Sequence, residues 1–365
     1  HIGFWLNANG YSSSQNIWYT LPELNDDDPD EHSIILLSDH SGEELLMGWE
    51  DLERGVNSDE DFNDLLLTIS ATPVELVDIM ASSNGIGSAT TDTDGDGVPD
   101  DFDDFADDAT LAIANTYPTD GDYFTLTFED LYPSVGDGDY NDLVALCQIT
   151  EKVTPDNEVA EIEGQLLVVA RGAGFDHELH LKIAGAGAGS WQILTYDDSE
   201  LLVDTRTGTS TGTDLDLTLI ESTKVALVPT NTGEGDRVER GHRVVYTFTP
   251  STALDAEAID QPPYDPYLTV VDTGYDIHQV GYDAIRGSKN PDSEFIDANG
   301  YPWVLIFPTA WDYPVEKQLI DGVYSGFTTW RESEGERETD WFVLPTSAQR
   351  AKTIGDDIVL ELNNN

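Results

Sequence analysis

The sequence predicts an all-β protein made of β-sandwich or jelly-roll domains. Short runs of β-branched and aromatic residues, such as DYFTLTFEDL, QLLVVARGAG and HRVVYTFTP, recur between clusters of Gly, Asp, Asn and Pro. This spacing of short strands and turns is typical of sandwiches and jelly rolls. The 365 residues are 39% hydrophobic, which is enough apolar material for one large core or several smaller ones.

One stretch near residues 314–331 departs from the strand pattern. Four apolar residues recur there at four-residue steps directly after Pro314: Val315, Leu319, Val323 and Phe327. A four-residue apolar step places side chains on one face of a helix, and proline is favoured at a helix start. We therefore predict one amphipathic C-terminal helix in an otherwise all-β chain.

The charge of the chain is strongly one-sided. It contains 72 Asp and Glu against 16 Lys and Arg, for a formal net charge of -56. Binding nucleic acid or anionic lipid requires basic residues, so this composition excludes DNA, RNA and membrane surfaces as partners. Mutual repulsion of the carboxylates favours a setting rich in salt or divalent cations. Halophilic adaptation and cation binding would both account for such a surface.

Cys147 is the single cysteine, so the chain can form no internal disulfide. Its setting, LVALCQI, predicts a buried strand thiol and not a nucleophile, because no adjacent group would lower its pKa. No apolar run approaches the ~20 residues that a membrane-spanning helix needs. We therefore expect no membrane insertion.

Residues 89–108 form an acidic, glycine-rich stretch that predicts a linker carrying a calcium loop. The segment DTDGDGVPDDFD fits the spacing of the twelve-residue calcium loop, in which Gly97 allows the sharp turn. The predicted ligands are Asp92, Asp94, Asp96, the carbonyl of Val98, Asp100 and Asp103. Asp replaces the usual Glu at the last place, which predicts weaker binding, in the ~10⁻⁴–10⁻³ M range. A disordered acidic linker is the alternative.

A second acidic motif occurs twice. WEDLERGVNSDEDFNDLLL, beginning at Trp49, lines up with FEDLYPSVGDGDYNDLVA, beginning at Phe128, when one gap is allowed. The candidate ligands are Glu50, Asp51, Asp59, Asp61, Asn63 and Asp64 in the first copy, and Glu129, Asp130, Asp137, Asp139, Asn141 and Asp142 in the second. Hard oxygen ligands without His or Cys favour calcium. Capping of turns by Asp and Asn side chains is the alternative.

No catalytic signature is present, and we predict that the protein is not an enzyme. The sequence has no HExxH, GxSxG or phosphate-loop motif. His177 and His180 could suggest zinc, but on a strand they point to opposite faces and no third ligand is near in sequence. Histidines on the solvent side of a strand are the favoured interpretation.

The aspartate motifs resemble known secreted proteins. DTDGDGVPDDFDDF is similar to a type 3 thrombospondin-like calcium repeat, and FEDLYPSVGDGDYNDLV resembles the LruC-domain family of secreted bacterial proteins. The segments YDIHQVGYD and YPWVLIFPTAWDYPVEKQLIDGVYSGFTTWRESEGERETDWF are similar to the C-terminal region of that family. LLMGWEDL and DFNDLLL resemble a domain that recurs in large calcium-dependent bacterial adhesins. The resemblance implies export, calcium and a cell-surface or extracellular setting.

We therefore predict that the chain has three segments: an N-terminal acidic β-domain at 1–88, the calcium-binding linker at 89–108, and an LruC-like β-sandwich domain at 109–365. The expected function is that of a secreted, calcium-binding surface or matrix protein in adhesion or structural assembly. Its expected partners are other surface or matrix proteins. The alternatives are a subunit that polymerises with its own copies into an extracellular filament, a carbohydrate-binding module that binds glycans and, least favoured, a secreted hydrolase.

Overall fold

The computed structural model of the protein describes residues 4–8, 16–19, 33–37, 44–49, 65–70, 93–98, 100, 103–119, 122–256, 258–285, 289–291, 294–355 and 358. The chain divides into two compact units, His1–Ala109 and Thr110–Asn365. Strands make up most of the regular structure, and each α-helix within the described residues is short. The predicted all-β sandwich class is confirmed.

The described residues of the first unit form two small antiparallel sheets. β1 (Trp5–Ala8) pairs with β2 (Asn16–Tyr19). β4 (Glu44–Trp49) lies between β3 (Ser33–Leu37) and β5 (Leu65–Ser70). Trp18, Met47 and Trp49 are buried together, so two tryptophans and a methionine form the described part of this core.

The second unit is a sandwich of two antiparallel sheets. The strands of the larger sheet are β6 (Ile113–Tyr117), β7 (Phe124–Phe128), β8 (Leu143–Val153), β9 (Glu158–Ala170), β11 (Gly189–Tyr196), β12 (Leu202–Ser210), β14 (Arg243–Pro250), β15 (Leu254–Asp255) and β18 (Val304–Phe307). Those of the smaller sheet are β10 (His177–Ile183), β13 (Leu215–Ile220), β16 (Asp265–Val270) and β17 (Tyr275–Ile277), and α1 (Thr223–Ala226) follows β13. The sheet orders are β12-β11-β14-β9-β8-β7-β18, with β6 beside β8 and β15 beside β9, and β13-β10-β16-β17.

The larger sheet is covered on both faces, which explains the unbroken apolar run at the start of β8. Alternate side chains of a strand point to opposite faces. Ala145 and Cys147 therefore pack into the core between the two sheets, which we call the sandwich core. Val144 and Leu146 pack into a second core formed with the C-terminal segment, which we call the C-terminal core. Burial of Cys147 confirms the predicted strand thiol, and burial raises its pKa to about 12.

The prediction of one continuous helix near 314–331 is wrong. This segment instead contains β19 (Tyr313–Pro314), α2 (Ile320–Val323) and α3 (Phe327–Glu332), and β19 pairs with β20 (Ala351–Lys352). Tyr324 ends α2 in extended backbone. Val323 and Phe327 are fully buried, whereas Leu319 is 43% exposed. Apolar spacing predicted the inward face, but Gly322 and Gly326 disfavour a continuous helix.

No helix in the described parts of the chain is both long and apolar enough to cross a bilayer.

Candidate metal centre

In the linker loop, the structure brings together the carboxylates of Asp94, Asp96 and Asp103. One oxygen of each lies within 4.8 Å of the others. Gly97 makes the turn with φ +99°, a conformation that strains any residue with a side chain. Asp94 Oδ1 accepts the amide of Asp96 at 3.2 Å, and Asp96 Oδ1 accepts the amide of Val98 at 2.7 Å. The predicted turn therefore folds the chain around these oxygens.

Two carboxylate oxygens of this loop could bind a cation. Asp96 Oδ2 and Asp103 Oδ2 are buried and accept no hydrogen bond from the described residues. Burial and the neighbouring carboxylates raise the pKa of Asp103. Asp100 is not in the group, because Thr93 donates to its carboxylate from both the amide and the hydroxyl, each at 2.7 Å. The loop thus presents three carboxylates, a donor set that suits calcium.

The second acidic motif forms a cluster between β7 and β8. Glu129 and Asp130 follow β7 directly, and Asp142 immediately precedes β8. Glu129 Oε1 accepts the amide of Tyr140 at 2.6 Å, and its Oε2 accepts the amide of Gly138 at 3.1 Å. Asp142 Oδ2 accepts the amide of Asp130 at 2.9 Å. Backbone amides therefore hold the carboxylates of Glu129 and Asp142 in place in the turn between β7 and β8.

Five carboxylates of this acidic cluster form two groups that share Asp137. The first group is Glu129, Asp137 and Asp142; the second is Asp137, Asp139 and Glu316. In each group, one oxygen per residue lies within 4.8 Å of the others. Two ligands of the same calcium ion, each at 2.3–2.6 Å from it, can be separated by up to about 5 Å. Both groups meet that requirement.

The electrostatics of the acidic cluster favour neutralisation. Burial, followed by repulsion from Asp139, raises the pKa of Glu129 to about 8. Burial and repulsion from Asp137 raise the pKa of Asp139 to about 7. Burial and repulsion from Asp130 also raise the pKa of Asp142 well above its usual value. Protons or a cation must offset this repulsion, so the two compete for the same oxygens.

Asn141, which lies between Asp139 and Asp142 in the chain, carries a neutral side-chain oxygen. Asn141 is fully buried, and its Nδ2 donates to the carbonyl of Pro314 at 3.0 Å. Its Oδ1 is also buried but accepts no hydrogen bond from the described residues. A buried acceptor without a donor costs about 1–3 kcal/mol. A cation would satisfy it, since amide carbonyls are calcium ligands.

Replacing Gly136 with alanine is expected to weaken calcium binding at the acidic cluster. A Cβ at this position would fall on Glu129 Oε2, so Glu129 must leave the position in which Gly138 and Tyr140 bind it. We expect a loss of about 1–3 kcal/mol in the free energy of unfolding, the usual cost of overpacking. The matched control is Gly174→Ala, because Gly174 is exposed and its Cβ would meet no atom within 4 Å. Equal calcium titrations for the two variants would contradict the expectation.

Two residues of this region were missed by sequence reasoning. His177 Nε2 lies 3.1 Å from Asp130 Oδ2, and its Nδ1 lies 3.2 Å from Thr223 Oγ1. Glu316 reaches the acidic cluster from the segment after β19. Glu316 is the last residue of the Tyr-Pro-Val-Glu sequence, which lies in the segment that resembles the LruC-domain family. Nothing in the sequence linked either residue to the FEDL segment.

Seven predicted ligands lie outside the described residues. They are Asp92 of the linker loop and all six of the first motif copy, Glu50, Asp51, Asp59, Asp61, Asn63 and Asp64. Their predicted role in calcium binding stays a prediction. The second copy is described in full, and it therefore defines the candidate centre.

The expectation that His177 and His180 face solvent is wrong. His177 is 0% exposed and His180 is 8% exposed. The ring of His180 stacks on Tyr267 with centroids 4.6 Å apart, because the two residues are register partners on β10 and β16. Burial lowers the pKa of His180 to about 4. Within the described chain, neither histidine belongs to a group of three potential metal ligands.

A cavity of about 400 Å³ adjoins the acidic cluster. Its walls include Glu129, Gly138, Tyr301, Trp303, Leu319 and Arg331. The guanidinium of Arg331 lies 4.5 Å from the centre of the Tyr301 ring, and its Nη1 donates to the carbonyl of Asn299 at 3.0 Å. Glu129 borders both the cavity and the metal groups, so a small molecule bound in the cavity would lie beside the candidate centre.

The fold and the site define an all-β protein with a partly buried cluster of candidate oxygen ligands. Residues 157–342, just over half of the chain, match the family described as "Domain of unknown function (DUF4842)", and the protein belongs to that family. Residues 1–72 match a second family, "Domain of unknown function (DUF4114)". These matches show no LruC-domain or thrombospondin-like family, so that finer resemblance stays a prediction.

Neither family description names an activity. No curated protein matches the chain. The crystal structure of a candidate lipoprotein from Bacteroides ovatus is similar, with 13% sequence identity and a TM-score of 0.48. The alignment covers 87% of this chain and 92% of that one. A likeness at this level carries no functional information.

Proposed function

We propose that the protein is a secreted, calcium-binding component of the bacterial cell surface or extracellular matrix. In this proposal it acts in adhesion or structural assembly, through contacts with other surface or matrix proteins, and performs no catalysis. The finer resemblance to the LruC-domain family and to thrombospondin-like calcium repeats belongs to the same proposal.

The acidic cluster is the observation that carries the calcium part of the proposal. Glu129 and Asp139 are at most 3% exposed, and burial, followed by repulsion from neighbouring carboxylates, raises their pKa values. Asn141 Oδ1 lies in the same region without a hydrogen-bond donor among the described residues. Carboxylate and amide oxygens without sulfur or imidazole favour calcium over transition metals. Turn capping accounts for the backbone contacts but leaves this repulsion and this orphaned oxygen unexplained.

The extracellular part rests on charge and on the strength of the predicted sites. A net charge of -56 is best tolerated where salt and divalent cations screen it. Sites in the ~10⁻⁴–10⁻³ M range are filled in extracellular fluids, which is the range of extracellular calcium modules. A calcium loop at 89–108 would order the linker that follows the first motif copy. A stiff linker suits a structural role.

Calorimetric titration with calcium, with a parallel melting curve in chelator, tests the proposal. At a calcium concentration about 100 times the Kd, one site raises the free energy of unfolding by about 2.7 kcal/mol. We expect Asp139→Asn to lose much of that gain, because Asp139 is a buried ligand. Asp156→Asn should behave as wild type, since Asp156 lies in an exposed turn between β8 and β9.

Two results would count against this function. Absence of calcium binding would leave the acidic cluster as a set of turn caps and remove the basis of the proposal. Equal losses in Asp139→Asn and Asp156→Asn would mean that calcium acts only by screening the acidic surface.

A further inference from the structure

The two carboxylate groups of the acidic cluster are supplied by different parts of the chain. Glu129, Asp137, Asp139 and Asp142 come from the β7–β8 turn, whereas Glu316 follows β19. Each group on its own meets the spacing needed for one calcium ion. Asp137 belongs to both and offers two carboxylate oxygens. The number of ions in the cluster is therefore a separate question from whether calcium binds.

The backbone around Glu316 is held against the β7–β8 turn. The amide of Glu316 donates to the carbonyl of Thr232 at 3.0 Å, and Thr232 Oγ1 donates to Glu316 Oε2 at 3.1 Å. The amide of Lys317 donates to Asp139 Oδ2 at 2.6 Å. Lys317 Nζ lies 3.3 Å from Glu316 Oε1, but its side chain is 78% exposed, so this ion pair is weak. Thr232 therefore holds the Glu316 carboxylate beside Asp137 and Asp139.

The orphaned oxygen of Asn141 lies beside Gly172, near the hydroxyl of Thr232. A Cβ at Gly172 would fall on Asn141 Oδ1, and Thr232 Oγ1 would lie 3.0 Å from the same point. Thr232 Oγ1 is the group that donates to Glu316. Asn141 is 0% exposed, and its Oδ1 accepts no hydrogen bond from the described residues. This oxygen is independent of the carboxylates and is of a type that binds calcium.

We propose that the acidic cluster holds two calcium ions bridged by Asp137. Glu129 and Asp142 complete the first site; Asp139, Glu316 and Asn141 Oδ1 complete the second. This inference rests on the proposed calcium function and adds the ion count, the bridging residue and a ligand from the C-terminal segment. Two divalent ions nearly balance the five carboxylates, whereas one would leave most of the repulsion in place.

The second ion would also connect two parts of the fold. Asp137 and Asp139 belong to the turn after β7, and Glu316 belongs to the segment that forms α2 and α3. An ion bound between them would fasten this segment to the larger sheet. Calcium would then regulate how firmly the C-terminal segment is attached.

Native mass spectrometry of the full chain at saturating calcium tests the ion count. Other sites in the chain also bind calcium under the proposed function, so the measured quantity is the difference from wild type. We expect Glu316→Gln to bind one ion fewer, and Glu336→Gln, an exposed control, to bind as many as wild type. Asp137→Asn should lose up to two ions, because it removes the bridging charge.

A second variant keeps the test decisive if Glu316→Gln does not fold. Thr232→Val preserves every carboxylate but removes the hydroxyl that orients Glu316, so it should weaken one ion and spare the other. An unchanged ion count in Glu316→Gln, or an unchanged calcium titration in Thr232→Val, would overturn the two-ion proposal without touching the calcium function. Failure of the wild-type chain to bind any calcium would overturn both.

Discussion

Without calcium, the protein is expected to lose stability as the pH rises from about 4 to about 8, and saturating calcium should suppress this loss. Burial and neighbouring carboxylates raise the pKa of Asp139 to about 7 and that of Glu129 to about 8. A group whose pKa is raised by folding binds protons more tightly in the native state. Its stabilisation is complete below the unfolded pKa and is lost as the pH rises through the folded pKa.

The expected loss is large. For Asp139 alone, moving from the model-peptide pKa of 3.8 to about 7 corresponds to a change on the order of 4 kcal/mol. Calcium binds the ionised carboxylates of the native state, so it should replace the stabilisation that protons provide at low pH. Buried Glu151 also has a raised pKa, but it lies in none of the described metal groups. Its contribution should be the same with and without calcium.

Urea unfolding at pH 5, 6, 7 and 8, in metal-free buffer and at saturating calcium, measures this difference. Asp139→Asn removes one titrating group and should flatten the metal-free curve. Asp156→Asn should follow wild type, because it alters an exposed carboxylate away from the acidic cluster. Parallel curves with and without calcium would contradict competition between protons and calcium at this centre.

Trp311→Ala is expected to lower the free energy of unfolding by about 3–5 kcal/mol, the usual cost of removing a buried aromatic side chain. Trp311 is 1% exposed in the C-terminal core. Its ring stacks on Phe307 of β18 at 4.2 Å and on Tyr324 at 5.3 Å. Urea unfolding measures the loss. Val343→Ala is the control, since Val343 is 61% exposed and should change stability by no more than about 0.5 kcal/mol.

The same variant probes how the C-terminal core supports the metal centre. Trp311 packs against the segment that carries Glu316. Its removal should therefore lower the calcium affinity of the folded protein as well as its stability. A calcium titration below the unfolding transition distinguishes the two effects. Wild-type calcium affinity in a destabilised Trp311→Ala protein would show that Glu316 is positioned by Thr232 and Lys317 alone.

The candidate site could be predicted only in part. The spacing of Asp and Gly in the linker placed Asp94, Asp96 and Asp103 around one turn, as the structure does. The same reasoning included Asp100, but the Asp100 carboxylate instead accepts two hydrogen bonds from Thr93. Local spacing predicts which residues can reach one point, whereas competing hydrogen bonds decide which of them do. The prediction of one helix near 314–331 was wrong for a related reason, because apolar spacing does not specify where the backbone hydrogen bonds of a helix end.

The sequence by itself determined the all-β class, because alternating β-branched and aromatic runs between turn residues are local signals. It also determined the acidic composition, the single buried cysteine and the oxygen-only character of the candidate ligands. Only the tertiary structure decided that His177 meets Asp130 and that Glu316 joins Asp137 and Asp139. These residues are brought together by the pairing of distant strands and by the packing of the C-terminal segment on the larger sheet. Such contacts depend on the whole fold and leave no periodicity in the sequence.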